Sequence, residues 1–271
     1  MSKKSKKKPM SSKRIKGKAS NQKSRADTPA AQTSTSRHQI VDVLRGCAIL
    51  LMFVYHFTYD LNYYGAVRII FNYDPFWLGF RTLIVSMFLG IMGFSLYSSK
   101  IQGFKKDRYF RRLGLLVLYA GIISLVTYLL FSEEMVFFGV LHFIAVATVI
   151  GLIFLRFYYL NLVIGAILIL LGTNFGDTLF DKQALQWFGL MTFKPITIDY
   201  VPILPWFGVV LIGQFAAQFG VSRRAFSNVL SWSSPHTIFR VLSFGGRHSL
   251  HIYMLHQPVF MGFLFIVFQV L

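Results

Sequence analysis

From Ile40 onward the chain is a succession of long apolar runs separated by short polar breaks. The runs are continuous, not alternating, so they read as helices long enough for a bilayer and not as the ten-residue segments of a membrane barrel. A helix needs about 20 apolar residues to cross the hydrocarbon core. On that rule seven spans are predicted, at Ile40 to Leu61, Trp77 to Tyr97, Leu113 to Phe131, Phe137 to Leu155, Phe157 to Leu171, Ile203 to Phe219 and Leu250 to Val270. The fifth is the shortest and the least typical of a full crossing. The expected fold class is therefore all-α, a polytopic membrane helix bundle of about seven transmembrane helices. The Gly245–Gly246 pair reads as a hinge before the last of them.

Composition supports a membrane protein: 55% of residues are hydrophobic, 14% are charged and the mean hydropathy is +0.55. The net charge of +18 would suggest nucleic acid, but its distribution argues otherwise. Residues 1–36 hold nine Lys and two Arg among Ser, Thr, Gln and Ala, with almost nothing apolar to bury. This segment is expected to be a disordered basic cytoplasmic tail near anionic lipid headgroups, with residues 37–271 forming the membrane domain. Membrane lipids, not nucleic acid, are the expected partners. Cys47 is alone and excludes an internal disulfide; an apolar run makes it a packing residue.

Loop charges set the orientation, because Lys and Arg collect on the cytoplasmic side. The tail, the loop with Lys100, Lys105, Lys106, Arg108, Arg111 and Arg112, then Arg156, then Arg223, Arg224, Arg240 and Arg247 fall on one side. The opposite loops mix signs, with Arg68, Asp74, Glu133, Glu134, Asp177, Asp181, Lys182, Lys194 and Asp199. Seven spans with the N-terminus inside reproduce this alternation. No internal repeat supports a duplicated transporter.

Ionisable groups inside such spans cost roughly 2.5 to 3.5 kcal/mol each at mid-membrane, so each invites a functional reading. The first span carries Asp42, Arg45, His56 and Asp60. At about 100° per residue, the last three fall within roughly 60° of one another. Asp42 and Arg45 are spaced to pair near the cytoplasmic end. His56 lies about 16 Å further along the axis, one turn from a carboxylate that can orient its imidazole and raise its basicity. That arrangement suits general-base chemistry. Arg81, His142, Asp199 and Trp206 enter their spans from the outer side, and His256, followed by Gln257 and Pro258, sits inside the last. These groups are candidates to converge on an acceptor. The histidines His248, His251 and His256 lack zinc-site spacing, and no metal is expected.

The segments RHQIVDVLRGCAILLMFVYHFTYDL (Arg37 to Leu61), FGVLHFIAV (Phe138 to Val146), DYVPILPWFGVVLIG (Asp199 to Gly213) and GGRHSLHIYMLHQPV (Gly245 to Val259) resemble, in order, heparan-alpha-glucosaminide N-acetyltransferase-like bacterial membrane proteins. The wider superfamily of transmembrane acyltransferases shares the pattern of Asp, Leu-Arg-Gly and His that Asp42, Leu44 to Gly46 and His56 match. The resemblance implies a membrane-bound acyltransferase in a bacterial inner membrane. It would move an acetyl group from cytosolic acyl-CoA (acetyl-CoA) to an amine or hydroxyl of an extracytoplasmic glycan or lipid. His56, with Asp60, takes the catalytic role. Lys105, Lys106, Arg108, Arg111 and Arg112 would meet the donor phosphates, with Arg45 along the pantetheine arm. A proton-coupled secondary transporter and a non-catalytic membrane scaffold are the competing functions.

Overall fold

The computed structural model describes residues 38–223 and 228–270, so the basic tail and the position of Arg224 lie outside the described residues. Among the described residues every regular element is a helix. The apolar helices are α1 (Gln39–Tyr63), α2 (Pro75–Ile101), α3 (Lys106–Leu130), α4 (Val140–Phe154), α5 (Tyr159–Asn174) and α6 (Ile203–Ser222). A shorter α7 (Thr237–Arg247) leads into α8 (Ser249–Phe265), which ends in a π-helical turn at Ile266–Val270.

Each predicted span falls on one helix, but among the described residues only α1, α2, α3, α6 and α8 with its last turn are long and apolar enough to cross a membrane. The 15 residues of α4 and 16 of α5 fall below the usual ~17 to 25. The loss at α4 has a local cause: Phe137 and Phe138 lie outside the helix, and Val201 pairs its N–H with the Phe138 carbonyl. Two other expectations change. Lys106, Arg108, Arg111 and Arg112 are not in a loop but in the first turns of α3, with Lys105 as its N-cap. Gly245 and Gly246 are not a hinge; they are helical, and the break falls at His248.

Around α6, glycines let backbones touch, as small residues do between membrane helices. A Cβ on Gly93 would lie 2.1 Å from the Val210 carbonyl oxygen, and one on Gly213 2.2 Å from that of Gly90. Gly208 meets the Gly165 carbonyl in the same way on α5. Asn161 and Gln214, both fully buried, tie this group together through backbone carbonyls.

The α1 helix packs differently. Gly46 approaches the Leu242 carbonyl and Gly246 the Asp42 carbonyl, so α7 crosses α1 at close range. Beyond His248, α8 continues in the same direction as α1. Phe53 stacks with His256, Phe57 meets Phe260, and the Tyr64 hydroxyl reaches the Met261 carbonyl. This parallel pairing, invisible in the local sequence, positions the site.

Candidate active site

The end of the α1 seam near the start of that helix is an ionic knot. Arg45 is buried, 3.4 Å from an Asp42 carboxylate oxygen, and donates to the Ser95 hydroxyl at 2.8 Å and to the Gly246 carbonyl at 3.4 Å. Arg247 approaches the other Asp42 oxygen at 3.5 Å. The expected pairing of Asp42 with Arg45 is present. The guanidinium joins α1, α2 and α7, which makes it a brace at this end of the bundle.

About three turns beyond Arg45, His56 of α1 faces His256 of α8, with ring centroids 4.8 Å apart and the planes 68° from parallel. His256 Nδ1 lies 2.6 Å from the Tyr253 carbonyl, which can only accept, so Nδ1 carries the proton. Its Nε2 is then a bare lone pair in the neutral ring, and it is buried without a partner. Phe53 and Phe260 close over the ring.

Asp60 was expected to orient His56 from one turn away. Instead its carboxylate crosses to α8, where Gln257 Nε2 donates to Oδ1 at 2.7 Å. The second carboxylate oxygen, the Gln257 amide oxygen and His256 Nε2 are all buried and unpartnered among the described residues. Such atoms cost about 1 to 3 kcal/mol each when left unpaired. Of the six such atoms among the described residues, three lie in this seam.

The groups expected on the outer side converge only in part. Asp199, in the segment before α6, accepts from the Val140 N–H at 2.8 Å and the Tyr253 hydroxyl at 3.4 Å. Burial raises its pKa, and the two hydrogen bonds and the charge of Arg81 pull it back. Arg81 also reaches the Tyr55 hydroxyl, next to His56. Tyr253 therefore bridges the two groups, with its hydroxyl on Asp199 and its carbonyl on His256.

His142 and Trp206 stand apart. His142 Nδ1 accepts from the Gly139 N–H at 3.3 Å, so Nε2 carries the proton toward the Ser124 oxygen at 3.1 Å, and Ser124 donates to the Val136 carbonyl. Both ring nitrogens are spent in holding the start of α4. Trp206 packs against the apolar core beside α6. The basic residues at the start of α3 are exposed.

Sequence reasoning passed over Tyr55, Tyr253 and, except as a neighbour of His256, Gln257. The spacing of Tyr253, His256 and Gln257, which sets them on adjacent sides of one helix turn, was the available signal.

Comparison with known families gives one match over residues 37–258, to the family described as "Heparan-alpha-glucosaminide N-acetyltransferase, catalytic". Comparison with curated proteins and with solved structures gives no match.

Proposed function

Because the chain belongs to the heparan-alpha-glucosaminide N-acetyltransferase catalytic family, a family of membrane acetyltransferases, we propose that it transfers acetyl from cytosolic acetyl-CoA to an acceptor across a bacterial inner membrane. The observation that carries the site is the pairing of His56 with His256, whose bare Nε2 faces the seam of α1 and α8.

The proposed topology has seven crossings with the N-terminus inside, α4 and α5 being the short ones. The parallel course of α1 and α8 fits any odd number of crossings, seven and five alike. His56 then lies about 25 Å along the axis from the start of α1, in the outer half of the membrane. A charged nucleotide does not cross a bilayer, whereas an extended pantetheine arm reaches that depth. The exposed cations at the start of α3, Lys105, Lys106, Arg108, Arg111 and Arg112, suit the donor's phosphates. Arg45 shapes the inner end of the route.

The acceptor side has its own concavity. Tyr59, Asn62, Tyr63, Phe71, Asn72 and Tyr73 line a cleft of about 260 Å³ beside the outer end of α1, one residue from Asp60. Aromatic faces alternating with amides fit a polar acceptor such as a glycan or a lipid headgroup. Asp199, through Tyr253, and Arg81, through Tyr55, connect to the histidine pair and are proposed to help orient the acceptor.

His56 acts as general base, removing a proton from the acceptor amine or hydroxyl while the freed lone pair attacks the thioester carbonyl. Collapse of the tetrahedral intermediate breaks the C–S bond, and the imidazolium returns the proton to the thiolate, leaving coenzyme A and the acetylated acceptor. His256, a neutral ring with its Nε2 lone pair bare, stands beside His56. Asp60 and Gln257 act through the helix pair and are positioning residues.

Incubating purified protein with labelled acetyl-CoA and membrane extract tests the reading. Covalent label in a glycan or lipid is expected. Neither binding nor consumption of acetyl-CoA would favour a proton-coupled carrier or a scaffold instead.

A further inference from the structure

At the end of the bundle that holds the start of α1, a groove of about 540 Å³ opens between the last turn of α2 and the last turn of α4. Its lining is Lys100, Phe104, Leu152, Ile153, Leu155 and Arg156. Lys100 donates to the Leu155 carbonyl at 2.9 Å, which uses one of its three N–H bonds. Its ammonium also lies 5.8 Å from the centre of the Tyr97 ring, and the Arg156 guanidinium 4.7 Å from that of Phe157. The aromatic faces hold both cations at the rim. Arg223, at the C-cap of α6, adds a third positive charge that acts on Tyr158 next door.

The floor of the groove is apolar and opens sideways. Ile153 is 59% exposed, Phe104 is 37% exposed, and the adjoining faces of α3 and α5 carry Val117, Leu118, Leu160 and Val163 outward. A soluble anion would need only the rim. A rim of cations joined to an apolar floor on a hydrocarbon-facing surface instead matches a molecule with a phosphate at one end and acyl chains at the other. We propose that the groove between α2 and α4 binds one anionic phospholipid, its phosphate between Lys100 and Arg156 and an acyl chain along Phe104, Leu152 and Ile153. The site lies outside the α1–α8 seam, and its occupancy would lock the inner ends of α2 and α4 together.

Each cation near an anionic headgroup is worth about 1 kcal/mol, so losing both lowers binding roughly 30-fold. The test is native mass spectrometry of the full-length protein in detergent, titrated with phosphatidylglycerol or phosphatidylcholine. Wild type is expected to retain one phosphatidylglycerol in preference to phosphatidylcholine, and Lys100→Gln with Arg156→Gln to lose that preference. Lys106→Gln with Arg240→Gln, which removes the same charge from exposed positions on the same side, should keep it. Equal loss in both double variants would overturn the proposal, as would equal retention of the two lipids by wild type. Displacement of the phosphatidylglycerol by inorganic phosphate or acetyl-CoA would also overturn it, assigning the rim to a soluble phosphate. If Lys100→Gln with Arg156→Gln is poorly folded, Ile153→Trp, which fills the floor and leaves both cations, should also lose the lipid. Retention is read without turnover and without sidedness, so its failure leaves the acetyltransferase reading intact.

Discussion

The two tight helix groupings of this protein handle buried polarity in opposite ways. Around α6, the polar groups are amides that join backbones. Asn161 Nδ2 donates to the Phe154 and Phe157 carbonyls and to Gln214, and Gln214 donates to the Gly151 carbonyl. None of these titrates, and glycine contacts do the rest of the joining. Along α1 and α8 two of the unpartnered buried atoms, Asp60 Oδ2 and His256 Nε2, belong to ionisable groups, whereas those of the α6 grouping, Asn161 Oδ1 and Gln218 Oε1, belong to amides. The difference separates a grouping that holds the bundle from one arranged to bind and move protons, and substitutions on the two sides should therefore fail in different ways.

The largest contrast is expected at His56. Replacing it with Ala should lower acetyl transfer by about 10² to 10⁴, the usual worth of general acid–base catalysis, while thermal unfolding and the size-exclusion profile stay near wild type. Near-normal turnover would move the chemistry to His256. On the other side, Gly213→Val forces a side chain against the Gly90 carbonyl, and overpacking of this kind costs about 1 to 3 kcal/mol or more. Its folded fraction should drop, with normal turnover per folded molecule. A folded but inactive Gly213→Val protein would erase the distinction between the two groupings.

Smaller effects sharpen it. Asp60→Asn keeps an oxygen that can accept from Gln257 and removes only the charge, so transfer should fall by no more than about tenfold. A loss as large as that of His56→Ala would place the carboxylate in the chemistry itself. The smallest effect concerns Asp199, whose pKa is raised in the fold chiefly by burial. A carboxyl with a raised pKa holds its proton more tightly when folded. Its contribution to stability is full below the unfolded pKa and fades as pH rises through the folded value. Asp199→Asn should flatten the slope of unfolding temperature against pH across that window, and an unchanged slope would contradict the assignment.

Much of this was legible in the chain. Apolar runs located every described helix long and apolar enough to cross a membrane, because a bilayer leaves few ways to satisfy a backbone. Asp42, Arg45, His56, Asp60 and His256 stood out because ionisable residues are rare at such depth. Three things were not legible. The residues before Gly139 leave the helical run to pair with the segment before α6, which no local pattern announces. Gly245 and Gly246 carry the composition of a break, yet Gly246 is needed for close approach to α1. The partner of Asp60 sits 197 residues away on Gln257, and the one-turn spacing to His56 pointed to the wrong neighbour. His142 misled for the reverse reason: its depth suggested chemistry, while its two nitrogens serve the start of α4.

The most direct test uses sealed inside-out vesicles holding the purified protein, with the acceptor-bearing membrane extract trapped inside and labelled acetyl-CoA added only outside. The account predicts that label accumulates on the enclosed acceptor with wild-type protein and falls by about two orders of magnitude or more with His56→Ala. Label that fails to reach the enclosed acceptor with correctly folded wild-type protein, or that reaches it equally in His56→Ala, would contradict transfer across the membrane through the α1–α8 seam.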